Sequence, residues 1–183
     1  PGFRSAGWTT GFTNYRFAVP HLAGGVGRAI FNDVDEAYVG DPADLFDVDM
    51  GGHGYLATSD SETSVMLIDC ERMAPIWTLA SAQTELKKDL LARTLQTPGI
   101  RGDLPAEWIA RDETLVPGFH RLQHWTTLHT QPWRPVPSRF VYQPNPTGAL
   151  WFEMERAADA AGYQVFNAKR PSSLYVQLTA RLG

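Results

Sequence analysis

The chain has 183 residues, 43% of them hydrophobic and 20% charged, with a formal net charge of −4 and an isoelectric point near 5.7. That length suits one domain with a substantial core, and the balance of apolar to charged residues excludes a disordered chain. The acidic balance excludes a general nucleic-acid binder, which carries a basic face, and no apolar run approaches the ~20 residues of a membrane-spanning helix.

Residues 1 to 14 are rich in glycine, threonine and aromatics and read as loop. Tyr15-Arg16-Phe17-Ala18-Val19-Pro20 reads as a short helix or strand that ends at proline. Gly24-Gly25-Val26-Gly27 is a turn signal, and its spacing is neither a dinucleotide fingerprint nor a Walker loop. It leads into an apolar strand, Ala29-Ile30-Phe31, and then into Asp33-Val34-Asp35. On a strand, residues i and i+2 point the same way. The two carboxylates are therefore expected to close on one hard divalent cation at the strand end, of the kind a diphosphate leaving group needs. Asp41 followed by Pro42 marks a helix start. The further acids Asp41, Asp44, Asp47 and Asp49 raise the question of a calcium loop. An EF-hand counted from Asp33 needs glycine at its sixth position, and Tyr38 stands there, so that reading fails.

Gly51-Gly52-His53-Gly54 is a loop in which His53 has a structural place. Tyr55-Leu56-Ala57-Thr58 and Val65-Met66-Leu67-Ile68 read as buried strands. Cys70 is the only cysteine, which excludes an intrachain disulfide and a cysteine zinc cluster, and its apolar setting predicts an inert core thiol. Residues 71 to 96 read as helical. Leu79, Ala82, Leu86, Leu90 and Leu95 recur at helical spacing, Lys87 and Lys88 fall between them, and Pro98-Gly99 ends the stretch. Leu104 to Trp108 is a connection, and Thr114 to Gly118 reads as strand then turn. Gln123 to Trp133 is polar and aromatic, with a proline-rich segment after it. Leu150 to Ala161 reads as a C-terminal helix capped by Gly162. No internal repeat or domain boundary is visible. We read one domain, 1–183, with a C-terminal helical extension from about 148, and alternating strands and helices give an α/β layer fold. No secretory signal is visible, and the expected compartment is the reducing cytoplasm.

Several segments together resemble glycosyltransferases of family eight. Ala29-Ile30-Phe31-Asn32-Asp33-Val34-Asp35 followed by Gly40-Asp41-Pro42-Ala43-Asp44-Leu45-Phe46 resembles their metal-binding Asp-x-Asp region. Tyr15 to Pro20 is similar to their Tyr-Arg-Leu/Phe-x-Ile/Val-Pro segment, and Thr63 to Asp69 to the strand beside the donor sugar. Leu104-Pro105-Ala106-Glu107-Trp108 matches Leu-Pro-x-x-Trp. His124-Trp125-Thr126 with Gln131-Pro132-Trp133 resembles the closing His-aromatic and Pro-Trp motif. The matches span residues 15 to 133 in family order.

The resemblance implies a GT-A-like fold, a mixed sheet with flanking helices, N-terminally truncated because only a short segment precedes Asp33. It implies a hexosyltransferase acting on a nucleoside diphosphate sugar, a UDP-sugar above all, and on a hydroxyl acceptor in a glycan, lipid or protein. Asp33, Asp35 and His124 would hold Mn²⁺ or Mg²⁺, with His129 the competing histidine. Arg16 would lie beside the donor and balance negative charge. Gln131 stands where the family often carries a phosphate-contacting lysine, so Arg134 is the neighbouring cation for that role. Trp125 and Trp133 would border the acceptor or serve as packing. Two other readings stand beside this one. A non-catalytic binding protein retaining the fold would need no metal, and a metal-dependent phosphate-ester hydrolase would require a second metal-ligand cluster that the sequence lacks.

Overall fold

The computed structural model describes residues 12–134 and 141–163. They fall into two compact units: one holds the chain through Ile109 together with Gly118–Leu122, the other holds Ala110–Pro117 and the chain from Gln123 on. In chain order the elements of the first unit begin with a 3₁₀ turn over Thr13–Ala18, α1 (Val19–Leu22), β1 (Arg28–Asn32), β2 (Glu36–Tyr38), α2 (Ala43–Phe46) and β3 (Tyr55–Ala57). They continue with β4 (Val65–Asp69), α3 (Cys70–Met73), α4 (Leu79–Thr84), α5 (Lys87–Thr94) and β5 (Arg101–Asp103). Short strands β6 (Ala110–Arg111) and β7 (Leu122–His124) and the helix α6 (Gly148–Ala160) follow.

The main sheet runs β1-β4-β3-β5. β4 is antiparallel to both β1 and β3, with Leu67 opposite Ile30 and Leu56, and β5 joins β3 in parallel. The sequence-based α/β expectation holds: the sheet is mixed and helices flank it. Both faces are covered, which is why β4 is a continuous apolar run rather than an alternating one. Tyr55, Ala57, Met66 and Ile68 meet Phe17, Trp77 and Leu90 on one face. Leu56, Val65 and Leu67 meet Leu45, Trp108 and Leu122 on the other. Cys70 lies buried in the first of these clusters; burial, then the Asp69 charge, pushes its thiol pKa up, as an inert core thiol requires.

Three local expectations are corrected. The segment ending at Pro20 is not terminated there: Pro20 occupies the first turn of α1, where its missing N–H costs nothing. The helix expected over 71–96 is three helices. Pro75 cannot continue α3, and Thr78 starts α4 afresh by accepting from the Ser81 amide at 3.1 Å. Glu85 and Leu86 are extended between α4 and α5. The Asn14 amide donates to the carbonyls of Ala82 and Glu85 at 3.0 and 2.7 Å, satisfying the end of α4 from a distant segment. Finally, Thr114–Gly118 contains no strand; β6 ends at Arg111 because Asp112 turns left-handed, with φ of 48°.

Gly102 in β5 meets an absolute spatial limit. A Cβ there would stand 2.6 Å from Leu56 Cδ2 and collide with the His53 ring, which is held in place by a 2.6 Å contact from Nδ1 to the Gly99 carbonyl. Gly102→Ala is expected to destabilise the protein by about 1–3 kcal/mol through overpacking, read as a lowered midpoint in thermal unfolding. In the second unit β6 pairs in parallel with β7, with Arg111 opposite His124. Trp125, Trp133 and Trp151 pack edge-on or tilted with centroids 4.7–5.9 Å apart. Gly162, at φ 81°, closes α6 as expected. Among the described residues no helix is long and apolar enough to cross a membrane.

Candidate metal and donor site

β1 stops at Asn32, so Asp33-Val34-Asp35 forms the turn between β1 and β2 rather than the end of the strand. The turn is closed by the Asp33 amide, which donates to the Ser64 carbonyl at 2.9 Å and to Glu36 Oε2 at 3.1 Å. A carboxylate oxygen of Asp33 and one of Asp35 come within 4.8 Å of each other. The closeness read from the sequence is present, but a turn produces it and strand alternation does not.

Arg16 is buried beneath this turn at 5% exposure. Its Nη2 donates to Asp33 Oδ1 at 2.8 Å, its Nη1 to the Thr63 carbonyl at 2.6 Å and hydroxyl at 2.9 Å, and its Nε to the Thr13 carbonyl at 2.9 Å. The guanidinium also lies over the Phe31 ring, 4.8 Å from its centroid. Arg16 and Asp33, both singled out from the sequence, are thus partners in a largely buried ion pair.

The sequence reading passed over Glu36. Its carboxyl is buried at 9% exposure beside two other acids. Burial first, then the Asp33 charge, pushes its pKa up to about 9; hydrogen bonds from Ser64 and the Asp33 amide only partly offset this, and Asp35 adds to the rise. The signal was present, since Glu36 directly follows the Asp-x-Asp run, but burial was not readable there. With Glu36 neutral at pH 7, one guanidinium faces the two aspartates, and hard oxygen donors so crowded suit a divalent cation.

His124, in the second unit, is buried at 6% exposure at the end of β7, whereas His129 is exposed. The backbone at His124 is gripped by Asp112, another residue the sequence did not single out. The Asp112 amide donates to the His124 carbonyl at 2.8 Å, and its carboxylate accepts from Thr126 Oγ1 at 2.5 Å and from the Thr127 amide and hydroxyl, both at 3.0 Å. Burial alone would raise the Asp112 pKa, but these hydrogen bonds outweigh it and hold the carboxyl below its ordinary 3.8. A depressed folded value means stabilisation present above that ordinary value and lost as pH falls through the folded one. Asp112→Ala loses the bonds and strains a left-handed backbone. It is expected to cost about 2–4 kcal/mol in chemical denaturation, with Asp112→Asn milder because asparagine tolerates that conformation.

Arg134 is exposed and left-handed, with φ of 47°. It borders a cavity of about 190 Å³ lined by Gln131, Gln143, Asn145 and Phe152 as well. Trp125 is fully buried and its indole N–H donates to Thr147 Oγ1 at 2.9 Å, a packing role; Trp133 is half-buried. His53 is structural, as expected from its glycine loop.

The mixed α/β sheet with flanking helices is a GT-A-like fold. Among solved structures, the glycosyltransferase GlyE of Streptococcus pneumoniae TIGR4 is similar, with a TM-score of 0.53 at 13% identity over 84% of this chain and 48% of that one. The chain thus spans about half the length of that structure. No protein-family profile matches the chain, and no curated protein matches its sequence.

Proposed function

We propose that this chain is the metal-binding part of a glycosyltransferase that moves a hexose from a nucleoside diphosphate sugar, most plainly a UDP-sugar, to a hydroxyl acceptor. The observation that carries the reading is the turn Asp33-Val34-Asp35, its two carboxylates brought together between β1 and β2 in a GT-A-like fold. It is joined by the ordered family-eight motifs and by the fold shared with a glycosyltransferase. The ligands in this reading are Asp33 and Asp35, with His124 the third that the family resemblance implies, a mixed oxygen and imidazole set that suits Mn²⁺ or Mg²⁺. A cation held there supplies charge neutralisation to the departing diphosphate. Arg16 fixes Asp33 in place, and Arg134 is the outer cation available to phosphate.

Calorimetric titration of UDP with saturating Mn²⁺ tests this. Binding that disappears in Asp33→Ala/Asp35→Ala supports the reading, and absence of binding to the folded wild-type chain rejects it. The Arg16–Asp33 ion pair favours a second reading, in which the site is already neutralised and the fold serves a non-catalytic binding role. That reading expects Mn²⁺ to leave the thermal midpoint unchanged.

A further inference from the structure

We propose that the cavity in the second unit binds one acidic saccharide residue, a sugar ring that bears a carboxylate. This goes beyond the donor reading above and needs neither its metal nor its nucleotide. The cavity measures about 190 Å³ and is lined by segments 130–134 and 143–152. It is smaller than the roughly 300–1,000 Å³ of pockets for drug-sized ligands, so it suits a single ring and not a whole nucleotide sugar.

Its walls are braced. The Gln143 backbone amide donates to the His129 carbonyl at 2.9 Å, and the Asn145 side-chain amide donates to the Thr130 carbonyl at 2.8 Å; together they tie the two segments to each other. Asn145 Oδ1 accepts from the Thr147 amide and hydroxyl, both at 2.8 Å. With both ends engaged, Asn145 is wall. Gln131 is buried, and its Nε2 donates to the Trp125 carbonyl at 3.1 Å, so its side-chain oxygen is the end that can accept from a ligand. Arg134 and Gln143 are uncommitted: among the described residues, neither the guanidinium nor the Gln143 side-chain amide meets a hydrogen-bond or ion-pair partner. Arg134 stands there on a left-handed backbone, φ 47°, a conformation that disfavours any residue with a Cβ.

The lining selects the ligand. Arg134 is its sole charged side chain among the described residues, and the N-terminal end of α6 borders the cavity at Gly148 and Ala149; both favour an anion. A bare phosphate would leave the rest of the lining unused. The Gln131 oxygen and the Gln143 amide match hydroxyls, which both donate and accept. Phe152, 43% exposed, offers its ring to the apolar C–H face of a sugar. The guanidinium fork matches a carboxylate bidentately. A sugar ring with a carboxylate uses all of these groups at once. Arg134, available to phosphate in the donor reading, has this carboxylate as its ligand here.

Titrations followed by NMR of the ligand compare methyl glucuronide, methyl glucoside and pyrophosphate, without metal or nucleotide. The proteins are wild type, Arg134→Gln, Phe152→Ala and Phe119→Ala, each confirmed folded by circular dichroism. Phe119 is the control, an equally exposed aromatic off the lining. Wild type should bind the glucuronide about tenfold tighter than the glucoside, the scale of one charge-assisted pair. Arg134→Gln should lose that preference, whereas a merely structural arginine would shift both sugars together. Phe152→Ala should weaken both about threefold or more. Phe119→Ala should move neither by more than about twofold. Absence of sugar binding to wild type, or binding that Arg134→Gln and Phe152→Ala leave unchanged, overturns the proposal. Pyrophosphate held through Arg134 more tightly than the glucuronide also overturns it and gives the cavity to phosphate. No arm contains metal or UDP, so failure of the donor reading leaves each of these outcomes as it stands.

Discussion

Replacing Arg16 with methionine should destabilise the protein by about 3–5 kcal/mol, the cost of leaving a buried charge without its partner. The volume is nearly kept, so the loss is electrostatic. Asp33 loses the guanidinium at 2.8 Å, and the fully buried Thr63 loses the donor to both its carbonyl and its hydroxyl. Against a total stability of about 5–15 kcal/mol for a domain, this is a large fraction. Arg16→Lys should fall between, at about 1–3 kcal/mol, because a single ammonium cannot reach Thr13, Thr63 and Asp33 at once. Asp35→Ala is the contrast: it leaves the bonds of Arg16 to Thr13, Thr63 and Asp33 in place, so it should cost less than Arg16→Met while still abolishing the proposed metal site. Urea unfolding of the four proteins ranks these effects. A ranking in which Arg16→Met and Asp35→Ala cost the same would show that the ion pair does not hold the turn.

What the sequence made legible was local. The strand before Asp33, the buried strands around Leu56 and Leu67, the helix capped by Gly162 and the closeness of two aspartates follow from patterns within a few residues. Arg16 was found through a resemblance, and the ion pair gives it a physical place. What stayed hidden depended on distant chain. The leucine spacing through residues 79–95 is continuous, yet Asn14, 68 and 71 residues away from its two partners, stabilises a break in the middle of it. Glu36 was written beside the aspartates, but only the packing that buries it makes it unusual. Lys87 falls between leucines in the pattern, which does not display its partial burial. Asp112 carries no motif at all; its importance lies in a left-handed backbone and in partners from Thr126 and Thr127, which a linear pattern does not display.

Glu36 gives the second large effect, and its sign is opposite to that of an ordinary surface carboxylate. Its folded pKa stands at about 9 against an ordinary 4.5, so between those values the folded protein binds more protons than the unfolded chain. Stability must then fall as pH rises through that window, because each pH unit costs folding up to about 1.4 kcal/mol for one such group. With respect to this group, metal-free protein should therefore be most stable at and below about pH 4.5 and should lose about 3 kcal/mol of its contribution by pH 7. Glu36→Gln keeps the shape and a hydrogen-bond donor but cannot ionise. It should be more stable than wild type at pH 7–8, by about 1–3 kcal/mol, and indistinguishable from it near pH 4.5. Denaturation midpoints across pH 4.5–9 in chelator-treated buffer read this directly. A wild-type curve parallel to that of the variant would mean that Glu36 ionises freely and that the crowding of Asp33, Asp35 and Glu36 is relieved in solution. Converging curves at low pH and diverging ones at high pH would establish a neutral acid at the edge of the carboxylate pair. That neutral acid would lower the charge which Asp33 and Asp35 must otherwise hold apart, and so keep the two ligands close before any cation arrives.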